Sequence, residues 1–127
     1  MERVSVTDSP FRVCPAGPAE RVELDAVFRA SVAELCVQDY STAQLGAWLR
    51  RVTPERWDEL LGGDLFFFLA RHEETGRAAG VMAVDVRGYV HSLFVYPRFV
   101  RRGLGRLLLR KAAAWGRAAG APSLWAE

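Results

Sequence analysis

Apolar residues recur every three or four positions in the first part of the chain, and this spacing predicts a helix rather than a strand. The helix extends from about Glu20 to Cys36. Its apolar stripe, which we expect to face a core, comprises Leu24, Val27, Phe28, Val32 and Leu35.

Start and stop signals predict two further helices. Ser41 and Gln44 have the spacing of a capping box, in which each side chain bonds the backbone N–H of the other residue. Thr53-Pro54 repeats the start signal with proline at the first helical position, and Gly62-Gly63 supplies a stop. The apolar faces of these two helices, which we expect to pack against the core, contain Leu45, Trp48, Leu49, Trp57, Leu60 and Leu61.

After these helices the pattern changes to runs of strand length, rich in aromatic and β-branched residues. The predicted strands are 65–70, 79–86 and 89–96, and the polar turns between them are 73–76 and 87–88. They predict an antiparallel meander whose first strand, with Phe66 to Phe68 as core residues, is central or covered on both faces. A short strand over Phe11–Cys14, ended by Pro15, precedes the helices.

The two ends of the chain carry weaker signals. Residues 1–10 lack periodicity and are predicted to be a flexible lead-in. A last amphipathic helix runs from Leu104 to about Ala119 and is stopped by Gly120. Its polar face carries Arg102, Arg106, Arg110 and Arg117. Ser123–Glu127 begins a further strand.

Composition narrows the class of protein. The chain has 127 residues, of which half are hydrophobic, so one globular domain with a real core is expected. Its net charge of +2 is too small to indicate nucleic acid, although all of its cations except Lys111 are arginines. Cys14 and Cys36 lack metal-ligand spacing, so we expect reduced thiols and no metal site. Without a leader or a membrane span, the protein is expected to be soluble and cytoplasmic.

The most informative motif is a strand, a basic Gly-X-Gly turn and a helix, at residues 93–109. Gly103 and Gly105 lack a Cβ, so their backbone can approach a ligand closely. The start of the helix adds free N–H groups and the positive end of its dipole, and Arg101, Arg102 and Arg106 add positive charge. The turn is therefore expected to bind phosphates.

This order of elements resembles the GCN5-related N-acetyltransferases. Their acetyl-coenzyme A signature is matched by Pro97, Gly103 and Gly105, whereas Val100 occupies the position where the family has Arg or Gln. Phe28–Val32 together with the segment from Asp39 to Trp48 resembles the YafP-type branch. The resemblance implies an α/β (α+β) fold with a central, mostly antiparallel sheet flanked by helices, and acetyl-CoA as cosubstrate.

The resemblance also implies roles for individual residues. In the family the turn amides hold the pyrophosphate, here those around Arg101, Arg102, Gly103, Leu104, Gly105 and Arg106. The preceding strand, around Phe94 and Val95, bonds the pantetheine arm and the acetyl carbonyl. Asp39 and Tyr40 lie between the two helices that border the acceptor site in relatives, and are candidate substrate contacts.

Acetyl transfer to an amine needs a route for one proton. His91 is the candidate base, because its strand leads into the phosphate turn and histidine as a residue type titrates near neutral pH. A strand histidine that only makes a local hydrogen bond is the alternative. Tyr89 is a second candidate that lines the cleft or relays a proton, with cross-strand packing as its alternative.

Family members continue beyond the strand at Ser123, and the missing elements normally carry a Tyr that protonates the thiolate. We therefore expect residues 11–127 to be an acetyltransferase domain that is incomplete at its C-terminus, with a homodimer as one way to cover the exposed edge. The predicted function is acetylation of a primary amine of a small molecule or peptide, without nucleic acid or membrane partners. A truncated, inactive coenzyme A-binding module and a nucleic-acid-binding domain that uses the arginine face remain alternatives.

Overall fold

A computed structural model describes residues 10–35, 40–118 and 120. The predicted strand Ser123–Glu127, Cys36 and Asp39 lie outside the described residues, as does the predicted lead-in except for Pro10. Within the described part of the chain, no helix is both long enough and apolar enough to cross a bilayer.

The described chain forms one four-stranded sheet with helices on both faces. The strands lie in the order β1-β2-β3-β4, and each neighbouring pair is antiparallel. Short 3-10 turns occupy Pro18–Glu20 and Pro97–Phe99. The other elements are β1 (Phe11–Ala16), α1 (Arg21–Leu35), α2 (Thr42–Arg51), α3 (Pro54–Leu61), β2 (Phe66–His72), β3 (Ala78–Val84), β4 (Val90–Val95) and α4 (Leu104–Ala118). The predicted mixed α+β class with an antiparallel meander is confirmed.

The predicted helix starts are confirmed atom by atom. The Ser41 hydroxyl accepts from the Gln44 N–H at 3.1 Å, and the Gln44 side chain accepts from the Ser41 N–H at 2.8 Å. The Thr53 hydroxyl accepts from the Arg56 N–H at 3.1 Å, with Pro54 at the first helical position. These contacts are local in sequence, which is why the pattern of residues was sufficient to predict them.

The prediction that Pro15 ends the first strand is wrong, because β1 continues through Pro15 to Ala16. The Glu73 N–H donates to the Pro10 carbonyl at 2.6 Å, and hydrogen bonding alternates along an antiparallel pair. Pro15 is an odd number of residues from Pro10, so its nitrogen points away from β2. Proline is tolerated there because β1 is at the edge of the described sheet and no ladder bond to β2 is lost.

Apolar side chains fill the space on both faces of the sheet. On one face Leu104 and Leu108 of α4 pack against Phe68, Met82 and Val84, and on the other α1 packs against Phe67, Leu69 and Val81. The expectation that β2 is covered on both faces is confirmed for Phe67 and Phe68, whereas Phe66 is 40% exposed and its ring contacts that of Trp115 at 4.4 Å.

A glycine in β3 sets how closely α4 approaches the sheet. A methyl group at Gly80 would meet carbon atoms of Leu104 and Leu108 at 3.1 Å, tighter than nearly all real contacts. Leu104 is the first residue of α4. A side chain at Gly80 would therefore require Leu104 and Leu108 to give way by a few tenths of an ångström.

Three side chains connect α1 to α3 and to the segment that precedes α3. Asp25 accepts from the Trp57 indole N–H at 2.7 Å and from Arg29 at 2.8 Å. Arg29 also donates to the Val52 carbonyl at 2.5 Å. This network fixes α3 against α1, and it occupies both oxygens of the Asp25 carboxylate.

A bidentate ion pair joins α1 to β2, and it makes the stability of the fold sensitive to acid. Both terminal nitrogens of Arg71 donate to the Glu23 carboxylate. The hydrogen bond from Arg71, which outweighs the opposing effect of burial, lowers the pKa of Glu23 below its ordinary value of 4.5. A lowered carboxyl pKa stabilises the folded state above pH 4.5, and this stabilisation is lost as the pH falls through the folded-state pKa.

We expect Glu23→Gln to lower the free energy of unfolding at pH 7 by about 1 kcal/mol, because the pair is roughly one-third exposed and partly screened. The difference from the parent chain should shrink as the pH falls below 4.5. Urea unfolding at neutral and acid pH measures both. The control is Glu73→Gln, which removes the more exposed pair with Arg12 and should cost less. An equal effect of Glu23→Gln at both pH values would contradict the ionic origin.

Candidate functional site

A β-bulge in β4 decides where His91 lies. Val84 pairs with Val90 and Ala83 pairs with Ser92, so His91 is an extra residue with no partner opposite it on β3. In a regular strand, His91 and Ser92 would lie on opposite faces of the sheet. The bulge interrupts this alternation, and His91 and Ser92 both line a cleft on the α1 face of the sheet.

Asp85 holds the imidazole of His91. Asp85 is 7% exposed, and its Oδ2 lies 3.2 Å from His91 Nε2 and 3.0 Å from an Arg87 guanidinium nitrogen. Its Oδ1 accepts from the backbone N–H groups of Arg87 at 2.9 Å and of Tyr89 at 3.2 Å. The turn between β3 and β4 is therefore built around this one carboxylate.

The charge of Asp85 determines which ring nitrogen of His91 carries the proton. Burial by itself would raise the pKa of the Asp85 carboxyl. Hydrogen bonds from Arg87, from His91 and from the backbone N–H groups of Tyr89 and Arg87 outweigh it and hold this pKa well below its usual range. An ionised carboxylate only accepts, so Nε2 of His91 must donate. In the neutral ring the lone pair is then on Nδ1, which is the form of a base.

The cleft that His91 lines has a volume of about 370 Å³ and lies between the sheet and the three N-terminal helices. Phe28 organises its aromatic wall, since the Phe28 ring meets those of Trp48, Trp57 and Phe94 edge to face, at 5.9, 6.4 and 5.1 Å. Trp48 and Trp57 therefore pack as expected, and they also line the cleft. Arg51 and Arg56 contribute the charged part of its lining.

The other predicted residues of this region lie near the cleft or beyond the described residues. The Tyr89 ring contacts the His91 ring edge to face at 4.6 Å, but Tyr89 is not among the described residues that line the cleft. Tyr40 is exposed, and its ring contacts that of Trp48 at 6.1 Å. Asp39 lies outside the described residues, so the structure describes only Tyr40 of the two predicted substrate contacts.

β4 has an open edge in the described sheet, since β3 is its one described neighbour. The Tyr96 N–H donates to the Ala79 carbonyl on the β3 side at 2.7 Å. By the alternation of an antiparallel pair, the backbone groups of Phe94 also point to β3, whereas those of Leu93 and Val95 point to the open edge. The Phe94 ring therefore lines the cleft, whereas the N–H and carbonyl of Val95 lie at the open edge of β4.

The loop after β4 is held by a buried phenylalanine and has two left-handed residues. Phe99 packs edge to face on Phe11 at 5.5 Å, and the Arg102 guanidinium lies 5.6 Å from the Phe99 ring centroid. Arg101 and Gly103 have φ values of +63° and +76°. A left-handed conformation is unfavourable for arginine, and such strain is concentrated at ligand sites.

The start of α4 presents donors that have no acceptor inside the helix. The Leu107 N–H donates to the Gly103 carbonyl at 3.0 Å, which leaves the N–H groups of Leu104, Gly105 and Arg106 free of helical partners. Arg101, Arg102 and Arg106 are exposed around this point. Free N–H groups, the helix dipole and the guanidinium groups together form a site suited to an anion.

The two glycines of the motif differ in what the fold requires of them. Gly103 has the left-handed φ, and a Cβ there would meet no atom within 4 Å, so the space beside it is open. A Cβ on Gly105 would make an ordinary contact with Leu93 at 3.8 Å. Arg110 and Arg117 are exposed further along α4, as expected of a solvated face.

Sequence reasoning missed Asp85 and the two cleft arginines. The segment Asp85 to Gly88 carries an Asx-turn signal, which identifies a turn but not the histidine that the carboxylate reaches. No sequence pattern near Arg51 or Arg56 indicates that they line a cleft. They line the same cleft because α2 and α3 pack together in the fold. Among the described residues, no group of three metal-binding side chains is found.

Comparison with known proteins gives one sequence match and many structural ones. The sequence model of the acetyltransferase (GNAT) family matches residues 31–127. No curated protein matches the chain.

The similar solved structures have low sequence identity, so they show the fold alone. A GCN5-related N-acetyltransferase from Rhodopseudomonas palustris is 24% identical, with a TM-score of 0.79 over 93% of this chain and 72% of its own. A PaiA N-acetyltransferase from Thermoplasma acidophilum, in complex with coenzyme A, is 17% identical, with a TM-score of 0.77 over 87% and 74%. An aminoglycoside acetyltransferase from an uncultured soil metagenomic sample is 19% identical, with a TM-score of 0.69 over 92% and 78%. Because the family match spans more than half of the sequence and the fold agrees with it, the chain belongs to the acetyltransferase (GNAT) family.

Proposed function

We propose that the chain is an N-acetyltransferase that transfers an acetyl group from acetyl-CoA to a primary amine of a small molecule or peptide. The observation that carries the proposal is the arrangement along β4. His91 lines the cleft at one end of the strand, and the anion site follows the other end. One strand thus connects a base to a phosphate-binding loop, with an open edge between them.

The residues around the loop fit coenzyme A. Its pyrophosphate would be held by the N–H groups of Leu104, Gly105 and Arg106, with Arg101 and Arg102 as counter-charges. The open space beside Gly103 lets a phosphate approach the backbone. The N–H and carbonyl groups of Val95 and Leu93 at the edge of β4 suit the amide groups of the pantetheine arm, which would add to the sheet as a strand does.

When bound, acetyl-CoA supplies an activated thioester, whose carbonyl carbon bonds to the amine nitrogen while its bond to sulfur breaks. Nδ1 of His91 takes the proton that the amine loses, and Asp85 stabilises the resulting imidazolium. Backbone N–H groups at the β4 edge can donate to the negative charge that develops on the carbonyl oxygen. The released thiolate takes a proton from solvent.

The proposal is tested by isothermal titration of the chain with acetyl-CoA, followed by measurement of amine-dependent thiol release. We expect saturable binding and release that depends on the amine. Support comes also from two structures of similar fold, one named a PaiA N-acetyltransferase and the other an aminoglycoside acetyltransferase. A folded chain that does not bind acetyl-CoA would contradict the proposal. Binding without release for every amine would favour the non-catalytic coenzyme A module.

Several finer predictions accompany this proposal. Membership of the YafP-like branch stays a prediction from Phe28–Val32 and from the segment that leads to Trp48. A cytoplasmic location and a homodimer also stay predictions. Tyr89 as a proton relay and Tyr40 as a substrate contact also stay predictions. Substitution of each by phenylalanine tests them, because it keeps the ring and removes the hydroxyl.

A further inference from the structure

The cleft that His91 lines has an aromatic wall and a positively charged wall, and this difference indicates which amine it binds. Five aromatic side chains line the cleft: Phe28, Trp48, Trp57, Phe67 and Phe94. Aromatic surface of this kind binds an apolar or planar body by burial and by edge contacts. A strongly hydrated sugar would lose water here without gaining equivalent hydrogen bonds.

The charges in the cleft are positive. Arg51, at the end of α2, and Arg56, in the first half of α3, both line it, and none of its described lining residues is a carboxylate. Among the described residues, Arg56 pairs only with Glu59, at 3.6 Å, where both side chains are mostly exposed. Arg51 makes no ion pair within the described ranges. Both guanidinium groups are therefore available to an anionic ligand.

Two carboxylates that bond lining residues of the cleft, Asp25 and Asp85, already have partners. Asp25 accepts from Trp57 and Arg29, and Asp85 accepts from Arg87, His91 and two backbone N–H groups. Neither is among the described lining residues. A polycationic amine would thus meet two arginines and no carboxylate among the described lining residues, which is unfavourable for its binding.

Resting on the proposed function, we propose that the acceptor is a primary amine with an aromatic or apolar body and a carboxylate. The carboxylate is bound by Arg51 and Arg56 on the α2–α3 wall. The aromatic wall around Phe28 buries the body. The amine reaches the β4 wall, where His91 receives its proton.

The test compares amines that share one body and differ in charge. Phenylalanine carries the carboxylate, phenylalaninamide lacks it, and an aminoglycoside is a polycation without an aromatic body. We expect kcat/KM for phenylalanine to exceed that for phenylalaninamide by about tenfold, the factor of one charge-assisted hydrogen bond. Arg51→Gln should remove most of this preference. Arg50→Gln, at the adjacent position of α2 and outside the described cleft lining, is the matched control and should keep it.

A second measurement separates the substrate class from turnover. Trp48 and Trp57 line the cleft, so binding of N-acetylphenylalanine, the expected product, should change the intrinsic tryptophan fluorescence. Binding of N-acetylphenylalanine that weakens in Arg51→Gln but not in Arg50→Gln supports the proposed substrate class. If no thiol is released in the same chain, the proposed function is contradicted but the substrate class is not. A preference for phenylalaninamide or the aminoglycoside overturns the substrate class while the proposed function stands. The substrate class is also overturned if N-acetylphenylalanine causes no fluorescence change and phenylalanine is not acetylated.

Discussion

His91→Ala is expected to lower kcat for acetyl transfer by about 10²-fold or more, the usual contribution of a positioned base. Coenzyme A binding should be retained, because the anion site lies beyond the other end of β4. The pH profile of the variant should differ from that of the parent as well, because the proposed base is absent. Steady-state kinetics over a pH series, with calorimetry for coenzyme A, measures both properties.

Asp85→Asn separates orientation from proton transfer. The amide oxygen can replace the carboxylate at the turn N–H groups, but its NH₂ group then faces Nε2–H of His91, donor against donor. The ring must give up the tautomer with its lone pair on Nδ1, so kcat should fall nearly as far as in His91→Ala. Because the pKa of Asp85 lies well below its usual range, the charge that selects the tautomer is present throughout the assay range.

The control for these variants is the other histidine of the chain. His72 bonds Thr75 at 3.2 Å and stacks on Phe99 at 5.3 Å, away from the cleft. His72→Gln should leave the shape of the pH profile unchanged. If His91→Ala keeps kcat within about threefold of the parent, with the same pH profile, His91 has only a local structural role.

Gly103→Ala is expected to weaken coenzyme A binding at least tenfold. A methyl at this position enters the open space beside the loop, where the proposed pyrophosphate approaches the backbone. It also strains a residue with φ of +76°, so the variant should lose about 1–2 kcal/mol of stability. Calorimetric titration with coenzyme A and urea unfolding separate the two effects.

Gly76 offers a matched control for that strain. It lies in the turn between β2 and β3, has φ of +72°, and a Cβ there would also meet nothing within 4 Å. Gly76→Ala should therefore cost about as much stability as Gly103→Ala, yet leave coenzyme A affinity unchanged. Equal affinities in the two variants would show that the loop backbone does not bind phosphate.

The parts of the fold that depend on neighbours in sequence were predictable. The capping box at Ser41 and the Thr53-Pro54 start concern contacts within one turn. The alternation of buried faces at Phe67 and Phe68 follows from strand geometry alone. The strand, Gly-X-Gly and helix order likewise placed the free N–H groups of α4, because the motif is continuous in sequence.

The parts that depend on pairing between strands were not predictable. The pattern over 89–96 indicated an uninterrupted strand, and only the register against β3 reveals the extra residue at His91. Its pairing with Asp85 follows from that register. Pro15 shows the same limit, because a proline ends a strand only if its nitrogen points towards a neighbouring strand. Arg51 and Arg56 needed the packing of two helices.

The close fit between Gly80 and the start of α4 has a consequence for how variation in this protein would be interpreted. Any side chain at Gly80 pushes against Leu104, the first residue of the helix whose free N–H groups form the anion site. A residue in the middle of a buried strand, in contact with no ligand, would then behave in a mutational survey as though it bound coenzyme A. Reduced affinity at such a position would report a displaced helix rather than a lost contact.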